Sequence, residues 1–214
     1  MVLKLYGLAM STCAQRVLIT LKEKNVEYEL VPVDLMKGAH KSPEFLEKQP
    51  FGKIPYLDDD GFIVYESRAI CRYIENKYKG QGTELIPTEV KEAAIFEQGA
   101  SIELSYYNEA VSVLAYENIF KGMFQPGSSP DAATVKSQTE KLAASLDAYE
   151  KVLSKQPYIG GNSFTLADVF HIPYGELLFK QGLGDLLSGD QRPHVKEWWN
   201  KISSRSSWQE VKKL

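Results

Sequence analysis

The spacing of apolar positions along the chain changes character near residue 89. Before it, short alternating runs interleave with short amphipathic helical patterns; after it, only helical patterns remain. Val2 to Tyr6 alternates, is rich in β-formers and predicts a strand that Gly7 ends. Val17, Leu18 and Leu21 share a helical face while Lys22, Glu23 and Lys24 point elsewhere, so a helix runs on from Ala14. Thr12 with Gln15 three residues on fits a capping box at its start. Glu27 to Val33 predicts a second strand, with Pro32 marking an edge or a strand end, and Pro43 to Lys48 a short helix. From Gln49 the run QPFGKIPYLDDDGFIVYESRAI holds two apolar segments around an Asp-Gly turn, then shifts to helical spacing at Ser67. It predicts a hairpin that feeds a third helix reaching about Tyr78.

The order β-α-β-α-β-β-α is the thioredoxin-like arrangement, an α/β domain with a mixed four-stranded sheet. A helix between the first two strands favours a parallel pair through a right-handed crossover. The stretch KGQGTELIPTE is polar and holds two glycines and a proline, so it reads as a linker. Helical patterns follow at Val90 to about Phe120, ended by QPGSSP, then at Ala132 to Leu153 and Leu166 to Lys180. A last one runs through Val195, Trp198, Trp199 and Ile202. Thr165 and Asp168 cap the third of these. The expected organisation is therefore a thioredoxin-like domain over 1–78, a linker over 79–88 and an all-α domain over 89–214.

Charge and composition narrow the chemistry. The 214 residues carry a net charge of −3, with no basic cluster of the kind nucleic acid requires. No apolar run reaches the length of a membrane helix, so a cytoplasmic protein is expected. Two cysteines, Cys13 and Cys71, and three scattered histidines, His40, His171 and His194, give neither a disulfide framework nor metal-ligand spacing. Two helix starts remain as candidate anion sites. Ser67 opens the third helix, where backbone N–H groups have no intrahelical acceptor. Ser11 lies at the first, either as the cap itself or as a hydroxyl presented to a ligand. Adjacent His40 and Lys41 sit in a polar loop, where solvated basic residues are common.

Four motifs in order carry a resemblance: Met10-Ser11-Thr12 with Arg16 beyond it, AHKSPEF at 39–45, QPFGKIP at 49–55 and ESRAI at 66–70. Together with the late TLAD run, they make the chain similar over its whole length to the glutathione transferases, and to their plant phi class in particular. The resemblance implies that Ser11 is the catalytic serine, whose hydroxyl stabilises the glutathione thiolate. It places His40, Lys41 and Lys53 near the glycyl carboxylate and gives Ile54, before a cis Pro55, to the cysteinyl backbone. Glu66 and Ser67 go to the γ-glutamyl end. It further implies a homodimer that uses glutathione as co-substrate, holds no permanent cofactor or metal, and acts in detoxification and stress response on hydrophobic electrophiles, with a possible peroxidase side activity on organic hydroperoxides. The walls of the electrophile pocket are expected from Met10, Thr12 and Leu35 with Tyr107, Phe120 and Phe124; core packing is the competing reading for Tyr107 and Phe120.

The residue chemistry agrees with these roles. Glutathione carries two carboxylates and one ammonium, which call for an anion hole, a cation cluster and an acid. Two other functions fit parts of the chain. Cys13 near a helix start suits a thiol transferase, although Ala14, not proline, follows it. A helical domain with aromatic side chains suits a non-catalytic carrier of hydrophobic metabolites.

Overall fold

A computed structural model of the protein describes residues 2–214. Two compact units make up the chain: one holds the described residues up to Ile86 together with Ser206–Leu214, the other Pro87–Arg205.

In the first unit, β1 (Leu3–Gly7), α1 (Thr12–Glu23), β2 (Tyr28–Pro32), α2 (Pro43–Lys48), β3 (Tyr56–Asp59), β4 (Phe62–Tyr65) and α3 (Ser67–Lys77) follow the predicted order. The sheet order is β2-β1-β3-β4, with β1 and β2 parallel and the other two pairs antiparallel. Pro32 ends the edge strand β2, where its missing N–H costs no ladder bond. Asp60 and Gly61 turn the hairpin with φ of 53° and 91°, and Asp58 Oδ1 accepts from the Gly61 N–H at 2.8 Å. Leu3, Leu5 and Leu57 of the sheet and Val17, Leu18, Leu21, Ile70 and Ile74 of the helices are buried, and α1 packs on α3. Beneath them Lys24 and Glu75 form a buried ion pair at 2.9 Å, and Lys24 also donates to the Thr83 carbonyl.

The capping box expected from Thr12 and Gln15 is not what starts α1. The Ser11 carbonyl already accepts from Gln15 N–H at 2.8 Å, so Thr12 is the first helical residue. Ser11 is the cap, and its Oγ accepts from Ala14 N–H at 3.4 Å.

The second unit is helical: α4 (Val90–Ile102), α5 (Asn108–Ala115), α6 (Lys121–Phe124), α7 (Ala132–Leu153), α8 (Leu166–Val169), α9 (Ile172–Lys180), α10 (Asp185–Ser188) and α11 (Pro193–Ser203). The helix expected over 90–120 runs to Phe124 and contains two π turns, Glu103–Tyr107 and Tyr116–Phe120, which a 3.6-residue pattern does not reveal. The helix expected over 166–180 divides at Phe170 and His171. Pro173 has no N–H to return to Val169, so α8 stops and α9 starts anew around the proline. Asp168 ties this region together. Its carboxylate accepts from the N–H groups of Ile159 and Thr165, the Thr165 hydroxyl and the Trp198 indole.

The last helix, α12 (Ser206–Val211), returns to the first unit, as do residues 79–86, so the boundaries differ from those read in the sequence. Glu23 at the end of α1 is the reason. Its carboxylate accepts from the Thr83 hydroxyl at 2.7 Å and the Ser207 hydroxyl at 2.6 Å, while Lys22 pairs with Glu210 at 2.9 Å.

Candidate functional site

The topology of the first unit collects most of the candidate residues at one end of its sheet. Val31, Tyr6, Tyr56 and Tyr65 form a row across the four strands. Directly beyond that row lie the segment from Gly7 to Ser11, the Ile54–Pro55 peptide that precedes β3, and Glu66 and Ser67 after β4. Strands β1 and β4 both run toward this end, so the helices that follow them, α1 and α3, both begin here. Two helix N-termini therefore open at one end of the sheet, each with first-turn N–H groups that have no intrahelical acceptor and with a positive dipole end. A Cβ on Gly7 would lie 3.4 Å from the Cβ atoms of both Ala14 and Pro55, which shows how closely the first turn of α1 and the Pro55 ring approach across the glycine.

Ser11 is half-buried at the start of α1, beside Met10, which is 70% exposed. Thr12 is buried. The Ile54–Pro55 bond is cis. Ile54, Leu35 and Tyr6 pack on the cluster of Val33, Phe45 and Tyr56. Tyr6 stacks on Tyr56 with centroids 4.4 Å apart; burial, then the neighbouring Tyr6 and Asp58, push the Tyr56 hydroxyl up to about 12, so it stays protonated. Glu66 is exposed and has φ of 69°, a left-handed conformation that a residue with a side chain rarely adopts. Strain of this kind clusters at functional sites, and here it turns the chain from β4 into α3 so that buried Ser67 becomes the first helical residue.

The basic residues occupy two neighbouring segments. His40 and Lys41 form a 3₁₀ turn (Ala39–Lys41), and the His40 Nδ1 is buried without a hydrogen-bond partner in the protein. Lys41 Nζ donates to the carbonyls of Gly52 at 2.9 Å and Phe51 at 3.3 Å. Lys53 is exposed. The sequence reading quotes Gln49 and Gly52 within a motif but gives neither a role; both shape this loop, and the Phe-Gly pair before Lys53 is a turn signal. Among the described residues, no group of three His, Cys, Asp or Glu side chains could hold a metal ion, and no helix is long and apolar enough to cross a membrane.

Cys13 is half-exposed, with its Sγ 3.8 Å from an Arg16 guanidinium nitrogen. Of the aromatic residues expected in the electrophile pocket, Tyr107 is a core ring, fully buried and 4.6 Å by centroid from His171; the π turn that ends at Tyr107 alters the register of its side chain relative to a regular helix. Phe120 is half-buried and Phe124 is 54% exposed.

A thioredoxin-like unit with two helix N-termini at one end of its mixed four-stranded sheet, followed by an all-helical unit, defines the class of fold. Comparison with known proteins specifies it. The glutathione S-transferase N-terminal domain family matches residues 1–76 and the corresponding C-terminal domain family residues 111–206. Glutathione S-transferase PM239X14 of Arabidopsis thaliana is 48% identical over 92% of this chain and 89% of its own. The crystal structure of glutathione transferase F7 from Populus trichocarpa superimposes with a TM-score of 0.94 at 45% identity, covering 99% of this chain and 98% of that one. Maize glutathione S-transferase I, solved in complex with an atrazine glutathione conjugate, gives 0.89 at 34% identity over 99% of this chain and 96% of its own. The chain belongs to the glutathione S-transferases, within their phi class. It is an enzyme of glutathione transfer.

Proposed function

We propose that this end of the sheet binds glutathione in the orientation its charges dictate. The γ-glutamyl carboxylate sits at the start of α3 on Ser67 and the backbone N–H groups, with Glu66 taking the ammonium. Ile54 pairs its backbone with the cysteinyl residue in the manner of strand addition. The glycyl carboxylate lies on the side of His40, Lys41 and Lys53. Ser11 then donates its hydroxyl to the sulfur. A free thiol with a pKa of about 8.5 is only ~3% ionised at neutral pH, and lowering it by about two units needs ~2.7 kcal/mol. One charge-assisted hydrogen bond contributes ~1.5 to 3 kcal/mol and a helix end ~0.3 to 1 kcal/mol, so Ser11 and α1 together suffice. The observation that carries this reading is the convergence of two helix N-termini at one end of the sheet, with Ser11 on one and Glu66 and Ser67 on the other.

The acceptor is a hydrophobic electrophile, in keeping with largely exposed Met10 beside Ser11 and with the atrazine conjugate held by the maize relative. Phe124, exposed on the helical unit, is a separate candidate for acceptor contact. Reduction of organic hydroperoxides, a cytoplasmic homodimer and a detoxification role complete the reading. The test is a panel of aromatic and unsaturated electrophiles and organic hydroperoxides assayed with glutathione. Turnover that falls in Ser11→Ala and survives in Cys13→Ser supports the assignment. Tight binding of hydrophobic ligands with no glutathione-dependent turnover of any panel member points to carriage instead. The Arg16 guanidinium beside the half-exposed Cys13 favours a second reading, thiol exchange. Loss of mixed-disulfide reduction in Cys13→Ser, with Ser11→Ala unaffected, would support it.

A further inference from the structure

Two serines of the chain stand directly before a proline, Ser42 before Pro43 and Ser129 before Pro130, and the structure uses them in opposite ways. Ser42 is half-buried and caps α2, its Oγ accepting from Phe45 N–H at 3.2 Å. Ser129 lies exposed in the loop between α6 and α7, and among the described residues its hydroxyl has no hydrogen-bond partner. The neighbouring Ser128 hydroxyl is spent inside the loop, on the Gln125 carbonyl at 2.7 Å. Beside them the loop stands clear of the helices: a Cβ on Gly127 would meet nothing within 4 Å. A residue before proline also favours extended backbone, so Ser129 offers a free hydroxyl on an accessible, extended segment. The loop is tied down where it meets α7. Asp131 N–H donates to Glu117 Oε2 at 2.8 Å, and Lys121 Nζ donates to the same oxygen at 2.7 Å. Asp131 in turn caps α7, accepting from Thr134 N–H at 2.9 Å. Both carboxyls are ionised at neutral pH, Glu117 held below its ordinary 4.5 by the Asp131 N–H and then Lys121, and Asp131 below 3.8 chiefly by the Thr134 N–H. They already repel each other, since the Asp131 charge acts to raise Glu117. A phosphate on Ser129, two residues from Asp131, would stand within about one Debye length, ~8 Å, of that carboxylate. The start of α7 would favour an anion only within its first turn, and Asp131 already fills the cap, so repulsion prevails.

We propose that Ser129 is a phosphoacceptor for a proline-directed protein kinase, and that its phosphate releases the Asp131–Glu117 contact that ties the loop to the helical unit. In the transfer, Ser129 Oγ attacks the γ-phosphorus of ATP; the new O–P bond forms as the bond to ADP breaks, and the hydroxyl proton passes to the catalytic base of the kinase. The product carries about −1.5 to −2 charges at neutral pH. The native full-length protein, its Ser129→Ala variant and a peptide of residues 122–136 are each incubated with a purified proline-directed kinase and magnesium ATP, and the modified residue is mapped by mass spectrometry. The expected result is about one phosphate per chain on Ser129 and on the peptide, with none in Ser129→Ala at that position and less than about a tenth as much on Ser42. Failure of both protein and peptide to accept phosphate overturns the proposal, because the segment is then no substrate. A modified peptide beside an unmodified protein overturns it as well, because the fold then withholds the hydroxyl, and so does phosphate placed mainly on Ser42. Hydrogen exchange of the Asp131 amide reads the second half. Release of its bond to Glu117 predicts exchange about tenfold faster in the phosphorylated protein than in the unmodified one, while unchanged or slower exchange overturns the release.

Discussion

At the scale of single residues, the two cysteines have opposite surroundings. Cys71 is fully buried on α3, and burial pushes its thiol up to about 11, against a hydrogen bond from Thr20 and the nearby Arg16, Arg68 and Arg72. At pH 8 only about one Cys71 in a thousand is a thiolate, and its sulfur is out of reach of solvent, whereas Cys13 is half-exposed. An aromatic disulfide reagent is therefore expected to titrate one thiol in the native protein and two after denaturation; two fast thiols in the native state would contradict this packing. Ser11 and Ser67 could be placed at helix starts from the sequence because a helix start has a local signature. Lys41 illustrates the limit. That it is basic is written in the chain, but that its ammonium donates to two carbonyls depends on a left-handed Gly52 eleven residues away.

At the scale of elements, capping chemistry explains both what could be read and what could not. Thr165 and Asp168 lie three residues apart, so their cap is visible in the sequence. The N-terminus of α11 is capped from α7, more than forty residues away: Glu150 accepts from the N–H groups of His194 and Val195 and from the His194 ring. Burial alone would raise the Glu150 carboxyl, but these donors outweigh it and hold the group below its ordinary value of 4.5. Because the folded form holds its proton less tightly than the unfolded chain, the stabilisation is present above 4.5 and lost as pH falls through the folded value. Glu150→Gln is thus expected to lower stability by about 1 kcal/mol at pH 7, a drop in Tm of about 2 to 4 °C. That difference should close in acid. A gap that persists unchanged at pH 3 would show that the charge is not responsible. The π turns at Glu103–Tyr107 and Tyr116–Phe120 had no such signal, since the apolar spacing around them remains helical.

At the scale of the whole molecule, the change of period near residue 89 marks the division into an α/β and a helical unit, and the element order was legible as far as Tyr78 because each element there carries its own pattern. The return of the C-terminus was not, because α12 is short and its partners on α1 lie about 180 residues earlier. Trp208 and Val211 of this helix are buried. Trp208→Ala is expected to cost about 3 to 5 kcal/mol, seen as a lower midpoint in denaturant; a midpoint within error of the natural protein would remove α12 from the core of the first unit. The central claim is that this molecule activates glutathione by hydrogen bonding from Ser11 at the start of α1. Its most direct test is the ultraviolet absorbance of the thiolate of bound glutathione, titrated against pH in the natural protein and in Ser11→Ala. The account predicts a bound-thiol pKa about two units below that of free glutathione, rising by about one to two units in Ser11→Ala. A depressed pKa that the substitution leaves unchanged would contradict it.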